Sequence, residues 1–341
     1  MEKQKLGTST DRVTIRHVAE HAGVSVAAVS KVLRNAYGVS GALRAKVESS
    51  IDLLKYRPST AARAMRGRTY TVGILVVELV NPFVPVLLES IDAGLDKVSY
   101  KSMVGVGRAA MKIETSMIES MIDTRMDGLI LIGPQISGAV IAEYAKQIPI
   151  VVLAHHEPQA RVYDTVNSDD MRGAEMAVEA LAARGHSDIA MLSYFGGQSP
   201  ASVVSVAREA GYRSAMARLG LGDRTRIMRL SHEPERREQE LVNLLRQENR
   251  PRAMFVWSDL DALPLMAACH EAGVDVPGEL AIIGYDDCET ARLPFVGLSS
   301  LNQNPQALGL HASELVLSRI EGREEARHIL VPPTVVLRRT A

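Results

Sequence analysis

Apolar positions in the first 56 residues recur at helical spacing. Ile15, Val18, Ala19 and Ala22 fall on one face of a helix that opens at Thr14, a residue type that caps helix N-termini. Gly23 follows, and only glycine enters the left-handed turn after a helix without a Cβ clash. Ser25 caps a second helix. Val29, Val32 and Leu33 form its buried stripe, which leaves Val26, Ala27, Ser30 and Lys31 facing outward. A third helix opens at Ser40, packs through Leu43, Val47, Ile51, Leu54 and Tyr56, and stops at Pro58. Helix, glycine turn, and a second helix with short outward side chains is the geometry that enters a DNA major groove.

Residues 59–68 have high helix propensity but no apolar stripe. They read either as a short helix, marginal alone in water, or as a plain linker. From Thr71 the pattern changes to apolar runs of strand length alternating with amphipathic helices. Strands are predicted at 72–77, 101–106, 128–132, 150–153, 188–193, 226–230, 253–257 and 280–284. Helices are predicted at 85–98, 111–124, 139–146, 171–184, 203–219, 235–248 and 260–273. Such alternation means parallel sheets covered on both faces. The number of units exceeds one comfortable sheet. The expected fold is therefore an α/β core of two doubly wound parallel-sheet lobes behind a small all-α helix-turn-helix domain. A ligand site is expected between the lobes, beyond the carboxyl ends of the strands.

Charge sharpens this division. Residues 1–70 hold 13 Lys and Arg against 5 Asp and Glu, and the remainder holds 26 against 35. A basic module joined to an acidic one suggests a polyanion partner for the first and a different task for the second. No run of 18 apolar residues is present, and the N-terminus lacks the apolar core of a signal peptide. Cys269 and Cys288 are too few for a disulfide framework or a cysteine zinc site. A cytoplasmic protein without membrane partner is expected.

Three strings suggest enzyme chemistry and fail on context. His17, Glu20 and His21 match a zinc-protease spacing, but they sit on the first helix of the DNA-reading unit with no further ligand nearby. Gly105-Val-Gly-Arg-Ala-Ala110 matches a dinucleotide loop, but it follows the second strand of its lobe rather than the first. His155-His-Glu157 follows a strand end and reads as a cleft border rather than a metal site. No catalytic set converges, so no enzyme activity, cofactor or metal is expected.

The chain resembles the lactose–galactose repressor family of bacterial transcription regulators from about Val13 to Arg339. The resemblance rests on Val18-Ala-Glu-His-Ala-Gly-Val-Ser25, Val29-Ser-Lys-Val-Leu33, Tyr56-Arg-Pro58 and Ala61-Ala-Arg-Ala-Met-Arg-Gly67. In the larger part it rests on Asn81-Pro-Phe83, Asp127-Gly-Leu-Ile130, Arg184-Gly-His186, Arg208, Ala210-Gly-Tyr212, Gly284-Tyr-Asp-Asp287 and Gln303. It implies a headpiece at 1–58, a hinge helix or linker at 59–69, and a dimerising core at 70–341, like the periplasmic sugar-binding proteins. The lobes then divide near 70–167 with 298–329, and 168–297 with 330–341, with crossings near Ser168, Leu298 and Leu330. Implied partners are a pseudo-palindromic double-stranded operator, a second copy of the chain and a small effector, with a sugar, sugar acid or polyol as the family's majority class.

Residue roles follow from the same resemblance. Val26 and Ala27 stand where the family reads base edges, and they offer only apolar contacts. Lys31 replaces a usual Arg, a point charge in place of a planar fork. Thr14, Ile15, Ser25, Ser30 and Arg34 complete the expected headpiece contacts. Met65 stands where a hinge Leu wedges into the minor groove, with Arg63 and Arg66 placed for flanking phosphates. In the core, Arg208 and Asp286 match the strongest polar ligand contacts and Phe83 an aromatic wall. Ser258, Gln303 and His232 are further candidates. Trp257 is either a stacking plate or a core residue. Ala154 replaces a frequent Asp. Removal of Arg208 is expected to abolish the ligand response while folding stays near wild type. The rival reading is a solute-binding receptor on the same core; the basic headpiece argues against it.

Overall fold

The structure, a computed structural model, describes residues 13–33, 36–56, 67–193, 203–231 and 233–341. The chain divides into two compact units, 1–69 and 70–341.

Among the described residues, the first unit contains three helices, α1 (Ile15–His21), α2 (Val26–Leu33) and α3 (Gly41–Leu53). Gly23 takes φ +57°, so the chain reverses between α1 and α2 without strain. Ser25 Oγ accepts from the Ala28 N–H at 3.1 Å, and Ser40 Oγ from the Leu43 N–H at 3.3 Å, satisfying donors that a helix start leaves open. Val18, Ala22, Val29, Val32, Val47 and Tyr56 close one small core. α3 ends at Leu53, short of the expected stop at Pro58. Lys55 turns the chain at φ +48°, and Tyr56 reaches the core from beyond the helix.

The second unit holds two six-stranded sheets. The first contains β1 (Thr71–Val76), β2 (Lys101–Val106), β3 (Gly128–Ile132), β4 (Ile150–Leu153), β5 (Asp164–Ser168) and β11 (His328–Val331), in the order β11-β5-β4-β3-β1-β2. All its pairings are parallel. The second contains β6 (Ile189–Ser193), β7 (Arg226–Arg229), β8 (Ala253–Val256), β9 (Ala281–Asp286), β10 (Ser299–Asn302) and β12 (Thr334–Val336), in the order β12-β10-β9-β8-β6-β7. Among the described residues only the edge strand β12 runs antiparallel in it.

The helices of the first lobe are α4 (Phe83–Asp96), α5 (Met111–Asp123), α6 (Gly138–Ala145) and α12 (Pro305–Ile320). Those of the second are α7 (Asp170–Ala182), α8 (Val203–Arg218), α9 (Pro234–Leu245), α10 (Asp259–Ala272) and the single turn α11 (Glu289–Arg292). β1, β3, β4, β6, β8 and β9 are buried along their whole lengths, as strands covered on both faces must be.

Two strands escape a search for apolar runs. β5 reads Asp-Thr-Val-Asn-Ser yet is wholly buried. Its Asp164 accepts from Arg319 Nη2 at 2.8 Å, Arg323 Nη2 at 2.5 Å and the Arg327 N–H at 2.8 Å. The buried charge is thus compensated by the returning segment that carries β11. β10 reads Ser-Ser-Leu-Asn and belongs to the second sheet. The return to the first lobe therefore follows Asn302, not Leu298 as the resemblance implied.

Candidate functional site

The headpiece presents an outward face on α2. Val26, Ala27 and Lys31 are exposed and Ser30 is half-buried. Thr14 is exposed and its N–H donates to His17 Nδ1 at 3.3 Å; Ile15 is half-buried against the headpiece core. His21 Nδ1 lies 3.1 Å from Ser50 Oγ. His17 and His21 are thus engaged locally, and no group of metal-ligating residues occurs among the described residues. Arg34, Arg63, Met65 and Arg66 lie outside the described residues.

In the core, one cleft lies between the two sheets. Its solvent-accessible volume is about 180 Å³. Val77, Gly133, Ala154, Ser168, Trp257, Asp286 and Gln303, each at or just past the end of a strand, contribute to its lining. This is where parallel α/β sheets leave a crevice, outside the carboxyl ends of their strands. Phe83, Val84, Leu87, Leu153, Val166 and Leu308 form an apolar wall from the first lobe. α4 begins two residues before the expected start at Pro85. Just ahead of it, the Asn81 side chain accepts from the Phe83 N–H at 2.9 Å, which holds Phe83 at the cleft edge.

The second lobe supplies the charge. Arg208 on α8 is 3% exposed, and its Nε donates to Asp170 Oδ1 at 2.8 Å. An Nη1 hydrogen bond ties it to the Trp257 carbonyl. Its guanidinium carbon lies 3.5 Å from the centroid of the Tyr285 ring, a stacked cation–π contact. Two glycines make this arrangement possible. A Cβ on Gly211 would stand 2.1 Å from the Met171 carbonyl, so α8 and α7 approach only because that atom is missing. A Cβ on Gly173 would stand 2.3 Å from the Tyr285 hydroxyl.

Asp170 is buried, and its Oδ2 lies 2.8 Å from Nε2 of His156, which comes from the loop after β4. Burial alone would raise its pKa; the Arg208 charge and the His156 contact outweigh it, and Asp170 sits below the ordinary carboxylate value. Asp286 ends β9 with φ +113°. Its Oδ2 accepts from Ser258 Oγ at 2.9 Å and Asn81 Nδ2 at 3.1 Å, and its Oδ1 from Gln303 Nε2 at 2.5 Å. Asn81 and Asp286 belong to different lobes, so this hydrogen bond spans the cleft. Burial raises the Asp286 pKa, with Arg208 and these hydrogen bonds opposing it. Beneath it, burial and then the charge of Asp286 push Asp259 up to about 7.

Of the residues expected to contact a ligand, Phe83, Arg208, Ser258, Asp286 and Gln303 line this one cleft. His232 lies outside the described residues. Trp257 also lines it, with Nε1 donating to Asp261 Oδ2 at 2.5 Å. Sequence reasoning missed Asp170, Asn167, Gln135 and Asn81 as lining residues. Asn81 was legible as part of a motif, and Asp170 only as an acidic helix start.

A helix-turn-helix unit followed by a two-lobed core with a polar cleft at its strand ends defines a ligand-responsive DNA-binding protein class. Comparisons with known proteins narrow this. Residues 14–59 match the model for bacterial regulatory proteins of the lacI family, and residues 178–341 match a periplasmic binding protein-like domain. The transcriptional repressor PurR of Erwinia tasmaniensis is 30% identical over 332 residues, covering 96% of each chain. PurR of Salmonella newport is 30% identical over 337 residues, again covering 96% of each. The lac repressor dimer bound to operator and the anti-inducer ONPF superposes with TM-score 0.84 at 25% identity, covering 97% of this chain and 99% of that one. A LacI transcriptional regulator from a Rhodococcus species superposes with TM-score 0.71 at 26% identity, covering 79% and 98%. The chain belongs to the lacI family of DNA-binding transcriptional regulators. No helix among the described residues is long and apolar enough to cross a membrane.

Proposed function

We propose that this protein is a transcriptional repressor that binds a pseudo-palindromic operator as a homodimer, with an affinity set by a small polyhydroxylated molecule in the core cleft. The observation that carries the reading is the cleft itself. Buried Arg208 and Asp286 project from one lobe, Asn81 and Phe83 from the other, and both polar and apolar groups converge on one cavity. An apolar wall facing hydrogen-bonding groups suits a ring with C–H faces and hydroxyl edges. The repressor relatives and the operator-bound, anti-inducer-bound lac repressor support the same reading. A ligand that touches both lobes favours one closure angle, and it shifts operator affinity only by its differential affinity for the two core states. Residues 59–69 act as the hinge that transmits this, with Met65 as the wedge and Arg63 and Arg66 on flanking phosphates. Val26, Ala27 and Lys31 read the bases, and Thr14, Ile15, Ser25, Ser30 and Arg34 position the headpiece.

The test is a titration of a palindromic duplex at several salt concentrations, with and without sugars and polyols. Steep salt dependence and a two-protomer stoichiometry are expected. Salt-insensitive or absent duplex binding, with ligand binding retained, would favour the solute receptor instead.

A further inference from the structure

The charges of the described residues lining the cleft do not balance. Among the described lining residues stand the carboxylates Glu78, Asp170 and Asp286 and a single cation, Arg208. That one cation is already matched: its Nε holds Asp170 at 2.8 Å, with both groups buried. Asp286 has only neutral donors, Ser258, Asn81 and Gln303, within hydrogen-bond distance. The arginines nearby are engaged elsewhere. Arg237, in the adjoining hollow that shares Glu78, Asn81 and Trp257 with the cleft, pairs with Asp261 at 3.1 Å. Arg338 and Arg292 both pair with Asp287, at 2.6 and 3.0 Å, and neither lines the cleft. Of the core residues outside the described ones, 194–202 contain no carboxylate and no basic side chain, and 232 is a histidine.

We propose that Asp170 is a specificity-determining residue: it keeps Arg208 as a charge-neutral pair, so that the cleft takes an uncharged polyhydroxylated ligand and refuses the corresponding carboxylate or phosphate. This rests on the cleft being the ligand site, and it narrows the ligand class given above by removing the sugar acids. An anionic ligand entering the cleft meets the Asp286 carboxylate, held by neutral donors alone, and a guanidinium already paired with Asp170. It would have to displace Asp170, a buried carboxylate whose one other partner is the His156 ring at 2.8 Å, and stripping such a carboxylate of its guanidinium is resisted. A neutral hydroxyl faces no such conflict. It accepts from the remaining guanidinium N–H groups and donates to Asp286, leaving the Asp170–Arg208 pair in place. Asp170 therefore contributes by charge rather than by shape, and an isosteric amide isolates that contribution.

The probe is inorganic phosphate, read by fluorescence of Trp257, the sole tryptophan, whose ring centroid lies 5.8 Å from the Arg208 guanidinium carbon. The full chain is titrated at constant ionic strength. The wild type is expected to show no saturable response. Asp170→Asn keeps an acceptor for Arg208 Nε but removes the charge, and is expected to bind phosphate saturably, about tenfold or more tighter than the wild-type limit. The double variant Asp170→Asn/Arg208→Met is expected to lose that response, which places the anion on Arg208. Circular dichroism confirms that each variant is folded. In parallel, thermal shifts compare D-glucose with D-glucuronate, D-galactose with D-galacturonate, and D-ribose with its 5-phosphate on the wild type.

Saturable phosphate binding by the wild type, or a folded Asp170→Asn that binds no phosphate, overturns the proposal. So does an acid that stabilises the wild type where its neutral counterpart does not. Should the operator titration fail to respond to any ligand, the cleft's regulatory role falls. The phosphate titration still decides the charge assignment, because it reads the cleft directly.

Discussion

Arg208→Ala is the most informative single change, because the structure revises what the sequence suggests for it. From sequence, the variant loses its ligand response and folds like the wild type. In the structure Arg208 is the buried partner of Asp170, so its removal strands a carboxylate that is 2% exposed. Removing one partner of a buried ion pair costs about 3–5 kcal/mol, because the remaining charge is left without solvent or counterion. For a core of this size that lowers Tm by on the order of 10 °C. The effect carries a pH signature. In the wild type the depressed pKa of Asp170 contributes stability that is present above the ordinary carboxylate value and lost as pH falls through the folded-state value. In the variant only the His156 contact is left to oppose burial, so the pKa of Asp170 rises and the penalty is relieved as Asp170 takes up a proton. The stability gap between the two proteins is therefore widest near neutrality and narrows as pH falls toward about 4. Urea unfolding of both proteins across this range measures the gap. Arg208→Ala/Asp170→Asn should recover most of the loss at neutral pH, since no charge is left buried. A Tm for Arg208→Ala that matches the wild type at every pH would refute the reasoning, as would a double variant no more stable than the single one.

Three further outcomes are expected. Asp259, raised to about 7 by burial and the charge of Asp286, stabilises the fold fully below the unfolded carboxylate value, and that contribution is lost as pH rises through about 7. Tm should therefore fall as pH rises from about 4 toward 7 and level off above it, and Asp259→Asn should flatten that slope in thermal melts; an unchanged slope removes Asp259 as its source. Gly211→Ala places a Cβ 2.1 Å from the Met171 carbonyl, forcing α8 from α7. It should cost about 1–3 kcal/mol and weaken ligand binding through the Arg208–Asp170 geometry, read by unfolding and ligand titration. Lys31→Ala on the exposed face of α2 should lower the slope of log affinity against log salt by about 1 if it neutralises a phosphate. An unchanged slope with altered base preference would assign it to base reading instead.

Much of the architecture was legible in the chain because it follows from local, periodic signals. The α1 and α2 stripes, Gly23 and Ser25 specify the headpiece through nearest-neighbour geometry. The long apolar runs of β1, β3 and β9 could belong only to strands buried on both faces. Arg208, Asp286, Phe83, Ser258 and Gln303 could be named from a resemblance, motif by motif. Tertiary structure decided what depends on partners distant in sequence. β5 and β10 are polar strings that become buried strands only because Arg319, Arg323 and neighbouring strands satisfy them, a compensation no local window contains. Asp170 looked like an ordinary acidic helix start. Its role emerges where Gly211 lets α8 close on α7 and brings Arg208, 38 residues away, within 2.8 Å. Sequence thus determined which elements form and which side chains are chemically able. Long-range packing, which fixes charge pairing and desolvation, decided which of those side chains share one cleft and in what state of charge.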